Sequence, residues 1–358
     1  MPAHPSVIVI GAGIIGASIA YHLVRRGARV TVLDAGEPGG IATRNSWAWI
    51  NASWGNPEPY FRLRIRSMAE WRRLAADVPA LDVQWSGGLL WDLPRAELEE
   101  YATGHAAWGY GIGVIDRPEA MRLEPALAFP PDHAVYVAGE GAVDPLASAL
   151  ALLQAARVLG AVLQAPIRVQ SLAVTAGRVT GVVTDRGAMT ADTIIVAAGA
   201  ETAPLAATAG VVVPMSTPPG LLVVTKPHAK LLNGLVMGPD MHIRQMADGS
   251  LIAGTDFGGS DPGTDAAATA ADVFTGLQRM LRGGDGLAFD HFKIGYRPMP
   301  ADGFPIVGPV ATAPGLYLAV THSGITLAPA LGRFATEEIL DGRRDPLLTP
   351  YGWDRFAT

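Results

Sequence analysis

The run Val7-Ile8-Val9-Ile10 followed by Gly11-Ala12-Gly13-Ile14-Ile15-Gly16 constrains this chain more than any other segment. Four apolar β-branched residues read as a strand buried on both faces. An apolar stretch from about Ile14 to Arg26 reads as a helix, with Arg25 and Arg26 complementing its C-terminal dipole and Gly27 ending it. Arg29–Asp34 reads as a second strand, so the chain opens with a βαβ unit and a parallel sheet. Gly11 permits the tight turn, Gly13 a close approach of pyrophosphate, and Gly16 close helix–strand packing. Free N–H groups at the helix start then hold phosphates. Asp34, 23 positions after Gly11, suits a carboxylate accepting from ribose hydroxyls. This context favours dinucleotide binding over an ordinary glycine-rich turn. It does not separate FAD from NAD.

Pro5–Val24 carries no Lys, Arg, Asp or Glu. Its mid-span glycines and β-branched residues argue against a membrane helix, and no basic residue or cleavage site suits a signal peptide. The expectation is a cytoplasmic chain with no integral membrane span. A length of 358 residues suggests two domains. The absence of cysteine excludes disulfides, thiolate metal sites, cysteine nucleophiles and cysteine-linked cofactors. A net charge of −6 argues against nucleic-acid partners. Glycine is about 12% against a typical ~7%, which implies many tight turns or close backbone approaches.

Phe61, Ile65, Met68 and Trp71 space an amphipathic helix over 59–76. Asp144 reads as an N-cap with Pro145 at the first helical position, and that helix stops at Gly160. Strands are expected at Arg168–Thr175, Arg178–Thr184, Thr193–Ala197, Val211–Thr225, Met241–Gly254 (around an Asp248-Gly249 turn) and Leu316–Val320. A last helix runs from about Ser323 to Leu340. All-strand texture fills 81–137 and 211–294. The expected fold is therefore α/β, with two interleaved domains: a Rossmann-like unit from 1–80, 139–210 and 295–358, and a mostly antiparallel α+β unit from 81–138 and 211–294.

The opening motif with Ala20-Tyr21-His22-Leu23 resembles the N-terminus of the D-amino-acid oxidase-like flavoproteins, which include glycine oxidase, sarcosine oxidase and D-amino-acid dehydrogenases. Further segments resemble that family in order: Thr43-Arg44-Asn45-Ser46, Gly141–Pro145, Ile194–Ala200, and Gly295-Tyr296-Arg297-Pro298 with Asp302-Gly303 and Pro305–Gly308. The resemblance spans almost the whole chain. It implies FAD held by Gly11, Gly13, Ile14, Ile15, Gly16, Asp34, Ala35, Thr43, Arg44, Asn45, Ser46, Val169, Ala198, Gly199, Arg297, Ser323, Gly324, Ile325 and Thr326. Gly295 and Gly308 join the glycines expected to approach the dinucleotide. Some relatives attach FAD through a cysteine or a histidine. Here Gly295 and Ala48 fall at those positions, so FAD is expected to be non-covalent.

The resemblance also implies oxidation of a C–N bond: hydride passes to flavin N5 and the imine formed is hydrolysed. Arg297 is the expected fork for a substrate carboxylate, because a guanidinium matches it with two parallel bonds. The bland alternative is pairing with Asp302. His242 and Arg244, two apart on a strand, share a side. His242 falls near a carboxylate-binding tyrosine of glycine oxidase, or belongs to a surface hairpin. His322 either lies at the flavin edge or caps the last helix, whose N-terminus would favour the negative charge of reduced flavin. Arg62, Arg64, Arg66, Arg72 and Arg73 form a solvated face or an anion-steering entrance. Trp47, Trp49 and Trp54 pack between domains or wall the flavin. No metal ligand set is expected. The substrate is expected to be a small amine or amino acid, with oxygen or a quinone or respiratory carrier as electron acceptor, and an oligomer is compatible with the family. The rival readings are an FAD dehydrogenase of a hydroxy acid or related alcohol, and a non-catalytic flavin-binding subunit of a hetero-oligomer.

Overall fold

The computed structural model describes residues 5–53, 55–256 and 258–357. Six strands form one sheet in the order Ile306–Pro309, Leu316–Val320, Thr193–Val196, Ser6–Ile10, Arg29–Leu33 and Val162–Gln164. Every pairing in it is parallel except the first. Strand alternation splits the opening apolar run between two cores. Val7 and Val9 pack with the helices Ile14–Arg25, Pro145–Val158 and Gly324–Asp341. Ile8 and Ile10 pack with the three-stranded meander Val169–Thr175, Arg178–Thr184 and Gly187–Thr190. Both faces are thus covered, which explains why the run is apolar throughout.

Eight strands form the second sheet, in the order Phe289–Tyr296, Pro219–Thr225, Leu251–Gly254, His242–Gln245, Leu235–Met237, Gly88–Leu90, His133–Val137 and Ile112–Asp116. It is antiparallel except where Leu235–Met237 meets Gly88–Leu90. The chain leaves the first sheet and returns to it twice. A third small sheet of Trp49–Ile50, Gly141–Val143 and Val83–Gln84 lies along those crossings.

Several expected boundaries agree closely. The helix Ile14–Arg25 ends at Gly27, whose φ is +89°, and Asp144 Oδ1 accepts from Ala147 N at 2.7 Å. The long helix runs Glu58–Asp77. The all-strand reading of 81–137 and 211–294 is wrong. Helices occupy Arg95–Ala107, Arg117–Leu123 and Ala266–Met280. The causes are local. Asp116 caps Glu119 N, Asp265 caps Ala267 N and Ala268 N ahead of an alanine-rich run, and Leu98, Tyr101, Ala102 and His105 recur at helical spacing. Pro214 and Pro218 also break 211–225, leaving strands only at Met215–Ser216 and Pro219–Thr225. Among the described residues no helix is long and apolar enough to cross a membrane.

The first and last α-helices touch closely, because a Cβ on Gly332 would lie 2.2 Å from Ser18 Oγ and 2.8 Å from His22 Cδ2. His22 Nε2 is buried there with no hydrogen-bond partner among the described residues. Burial first, then the Arg25 and Arg333 charges, lowers its pKa from 6.5 to about 4. Between those values the unfolded chain binds a proton that the folded chain refuses, so stability falls as pH drops from about 6.5 to about 4. The expected loss is about 2 kcal/mol. Urea unfolding at pH 7 and pH 5 checks it: His22→Gln should lose distinctly less than the parent, and equal losses would refute the assignment.

Candidate cofactor cavity and substrate site

A cavity of about 950 Å³ lies at the carboxyl ends of the parallel strands, the usual ligand position in such sheets. The opening motif supplies its first wall. A Cβ on Gly11, at φ +109°, would lie 2.3 Å from Ala197 O, and one on Gly16 would lie 1.9 Å from Gly11 O. Both glycines therefore serve backbone packing, and Gly16 does not line the cavity. Gly13, Ile14 and Ile15 do line it, at the start of a helix with no side-chain cap. Thr43 Oγ1 accepts from Ile14 N at 3.1 Å. Asp34 accepts from Ala12 N at 2.7 Å and from Gly36 N at 2.9 Å, which fixes its carboxylate at the cavity edge beside Ala35.

Thr43, Arg44, Asn45 and Ser46 form a second wall, and Val169, Ala198 and Gly199 a third. Arg44 is tied locally to Glu37 at 3.2 Å and to Pro38 O at 3.0 Å. Lys293 Nζ donates to Arg44 O at 3.0 Å, and burial lowers its pKa to about 8. At the far end lie Thr321, His322, Gly324 and Ile325, where the 18-residue last α-helix also starts without a side-chain cap. Thr321 Oγ1 is buried and unpartnered among the described residues. Two helix N-termini, the second with no side-chain cap, and an orphaned hydroxyl on one cavity suit a long ligand carrying negative charge. These residues fit FAD.

Other expected residues lie elsewhere. Ser323 Oγ accepts from Arg64 Nη1 at 2.7 Å, and Thr326 Oγ1 donates to Trp49 O at 3.0 Å, so neither side chain lines the cavity. Gly295 and Gly308 do not approach it. A Cβ at 295 would meet Asn45 Cβ at 2.9 Å, and one at 308 would meet Arg344 Nη1 at 2.7 Å. His242 is 2% exposed, with Nε2 3.3 Å from Asp92 Oδ2. Arg244 is buried beside it, donating to Trp47 O at 2.6 Å and to Val143 O at 3.1 Å; burial pulls its pKa to about 10. The two residues are interior, not a surface pair. Trp47 and Trp49 are buried edge-to-face, with ring centroids 6.1 Å apart, and do not line the cavity. Trp54 lies outside the described residues.

Tyr296 and Pro298 line the cavity, while Arg297 between them does not. Its Nη2 donates to Pro219 O at 3.2 Å and its buried Nε has no partner among the described residues. Asp302, the bland candidate, is taken by Arg355 at 2.7 Å. Arg64 is 5% exposed, so the solvated reading of the arginine run fails at this position. Arg62 does pair at the surface, with Glu58 at 2.9 Å, whereas Arg66 pairs with the buried Glu70 at 2.9 Å. Among the described residues neither Arg64 nor Arg297 forms an ion pair with a carboxylate. The charges of both act on His322. Burial first, then Arg64 and Arg297, lowers its pKa to about 4, so it is neutral at pH 7. The sequence reading placed Arg64 in the basic run and missed its burial, although helical spacing from Phe61 and towards Met68 puts it on the buried face. Thr321 and Lys293 carried no such signal.

The family model described as FAD dependent oxidoreductase matches residues 6–338. An uncharacterized oxidoreductase of Bacillus subtilis, YurR, is 29% identical over 97% of this chain and 98% of its own. Glycine oxidase of Pseudomonas putida is 28% identical over 96% of both chains. The crystal structure of glycine oxidase from Geobacillus kaustophilus shares the fold, with a TM-score of 0.89 at 24% identity, covering 98% of this chain and 99% of that one.

Proposed function

The chain belongs to the FAD dependent oxidoreductase family, and from that premise we propose that this amine or amino-acid oxidoreductase oxidises the C–N bond of a small amino acid or secondary amine carrying a carboxylate. The observation that carries this reading is Arg297: a guanidinium with a buried, unpartnered Nε, no ion pair among the described residues, and a neutral histidine beside it. Such a half-buried group is short of acceptors, and a substrate carboxylate supplies two.

Bound FAD supplies the hydride acceptor. Gly13, Ile14 and Ile15 hold the pyrophosphate, Asp34 and Val169 the adenosine end, and Gly324 with Ile325 the isoalloxazine end. The N-terminus of the last α-helix favours negative charge at that end. Arg297 orients the substrate, which is what a reaction without a strong side-chain base requires. His322, uncharged, leaves the carboxylate to the guanidinium. Residues 1–80, 139–210 and 295–358 form the cofactor unit in this reading, and 81–138 with 211–294 the substrate unit. The six-stranded sheet draws only on the first set, and Phe289–Tyr296 straddles one boundary.

Anaerobic mixing of the yellow holoprotein with glycine, D-amino acids, N-methyl amino acids and cyclic imino acids tests the proposal. At least one should bleach the flavin within seconds. Bleaching by 2-hydroxy acids alone would support the hydroxy-acid rival, and bleaching by none a non-catalytic subunit. Ala48 and Gly295 offer no attachment atom, so acid precipitation of the same sample should release all flavin into the supernatant.

A further inference from the structure

Arg64 has a role the cavity lining does not reveal. It projects from the helix Glu58–Asp77 into the interior, where Nε donates to Asn51 O at 3.1 Å, Nη2 to Asn51 Oδ1, and Nη1 to Ser323 Oγ at 2.7 Å. Its guanidinium faces the Tyr60 ring at 5.1 Å. All of these acceptors are neutral. A buried charge held only by dipoles is costly, so its retention calls for a use.

The partners show one. Ser323 is the N-cap of the last α-helix, where a serine hydroxyl ordinarily accepts from a first-turn N–H. Here the hydroxyl accepts from Arg64 instead, and no side chain caps the helix. Gly324 and Ile325, the first residues of that turn, line the cavity. The scaffold holding Arg64 is stiff. Asn51 N donates to Thr326 Oγ1 at 3.3 Å. Ala52 N and Ser53 N donate to the fully buried Glu140 at 3.3 and 3.2 Å. Trp49 Nε1 donates to the same carboxylate at 2.8 Å.

We propose that Arg64 is a positioning residue that draws the capping hydroxyl of Ser323 away from the last α-helix and adds its own charge to the uncapped N-terminus, raising the reduction potential of FAD held in the cavity. The inference deepens the reading of the cavity as the FAD site and rests on it, but not on which amine is oxidised. Protein that takes up no FAD would sink that reading, whereas holoprotein with an unmoved potential sinks only the role of Arg64.

The experiment is dye-equilibrated reduction of the parent, Arg64→Met, Arg64→Lys and Ser323→Ala holoproteins. Arg64→Met is expected to shift the reduction equilibrium roughly tenfold towards oxidised flavin, about 30 mV downward for two electrons. Arg64→Lys keeps the charge and should recover most of the difference. A merely structural arginine would leave both variants at the parent potential, or move both alike, and either result overturns the proposal. If Arg64→Met yields no holoprotein, Ser323→Ala decides: loss of the anchor should lower the potential by a smaller, measurable amount, and an unchanged value overturns the role.

Discussion

Arg297→Met is expected to lower kcat/KM for a carboxylate substrate roughly 10³-fold, because truncating one partner of a desolvated charge pair costs about 2–5 kcal/mol. The structure says why the loss should be large. Its Nε is buried without a partner, Asp302 is engaged by Arg355, and Asp256, the acid beside it, forms no ion pair with it. Gly258 lies so close beneath it that a Cβ there would meet Nη1 at 1.7 Å, so the group rests against backbone and has little freedom to retreat. Arg297→Lys keeps the charge and loses the fork. It should fall between parent and methionine, chiefly through KM. Steady-state kinetics on the best substrate of the bleaching panel, with flavin content checked by absorbance, measures both. A methionine variant within threefold of the parent would remove Arg297 from substrate binding.

Gly16→Ala is expected to abolish FAD retention or lower affinity by about 100-fold or more, although Gly16 never touches the cavity. Its Cβ would lie 1.9 Å from Gly11 O and 3.3 Å from Val9 Cγ1. The nearest obstacle is backbone, which cannot swing aside as a side chain can. Relief requires the first α-helix to back away from its strand, carrying Gly13, Ile14 and Ile15 with it. A shift of about 1 Å misplaces the N–H groups that receive phosphate. Flavin fluorescence titration of the apoprotein measures the affinity. A variant that binds FAD like the parent would show that helix and strand are less tightly coupled than their packing implies.

The cofactor half of the site was legible because it rests on local rules. A strand, a turn that only glycine fits, and a helix follow one another within twenty residues, and each leaves its own mark. The same holds for the cap at Asp144 and for the helix end at Gly27. The helices Arg95–Ala107 and Ala266–Met280 left signals too, in spacing and capping, which the all-strand reading of those segments passed over. The residues around Arg297 were of another kind. That Arg64 is buried follows from helical spacing; that it reaches Ser323, 259 positions away, follows only from how the long helix lies against the last one. His242 likewise needed Asp92, which reaches it from outside its own hairpin. Pairings across the chain leave no periodic trace in either partner.

The cavity draws its walls from the opening turn, the Thr43–Ser46 segment, the strand at Val169, the Ala198–Gly199 turn and the start of the last α-helix. These walls run from the opening turn to the start of the last α-helix, so the complete site exists only once both ends of the chain have met. FAD therefore recognises only the assembled molecule, and by mass action each tenfold rise in free FAD above its Kd adds about 1.4 kcal/mol to the native state. Yellow colour retained through purification becomes a report on completed folding, and cofactor supply sets how much of the chain survives as native protein.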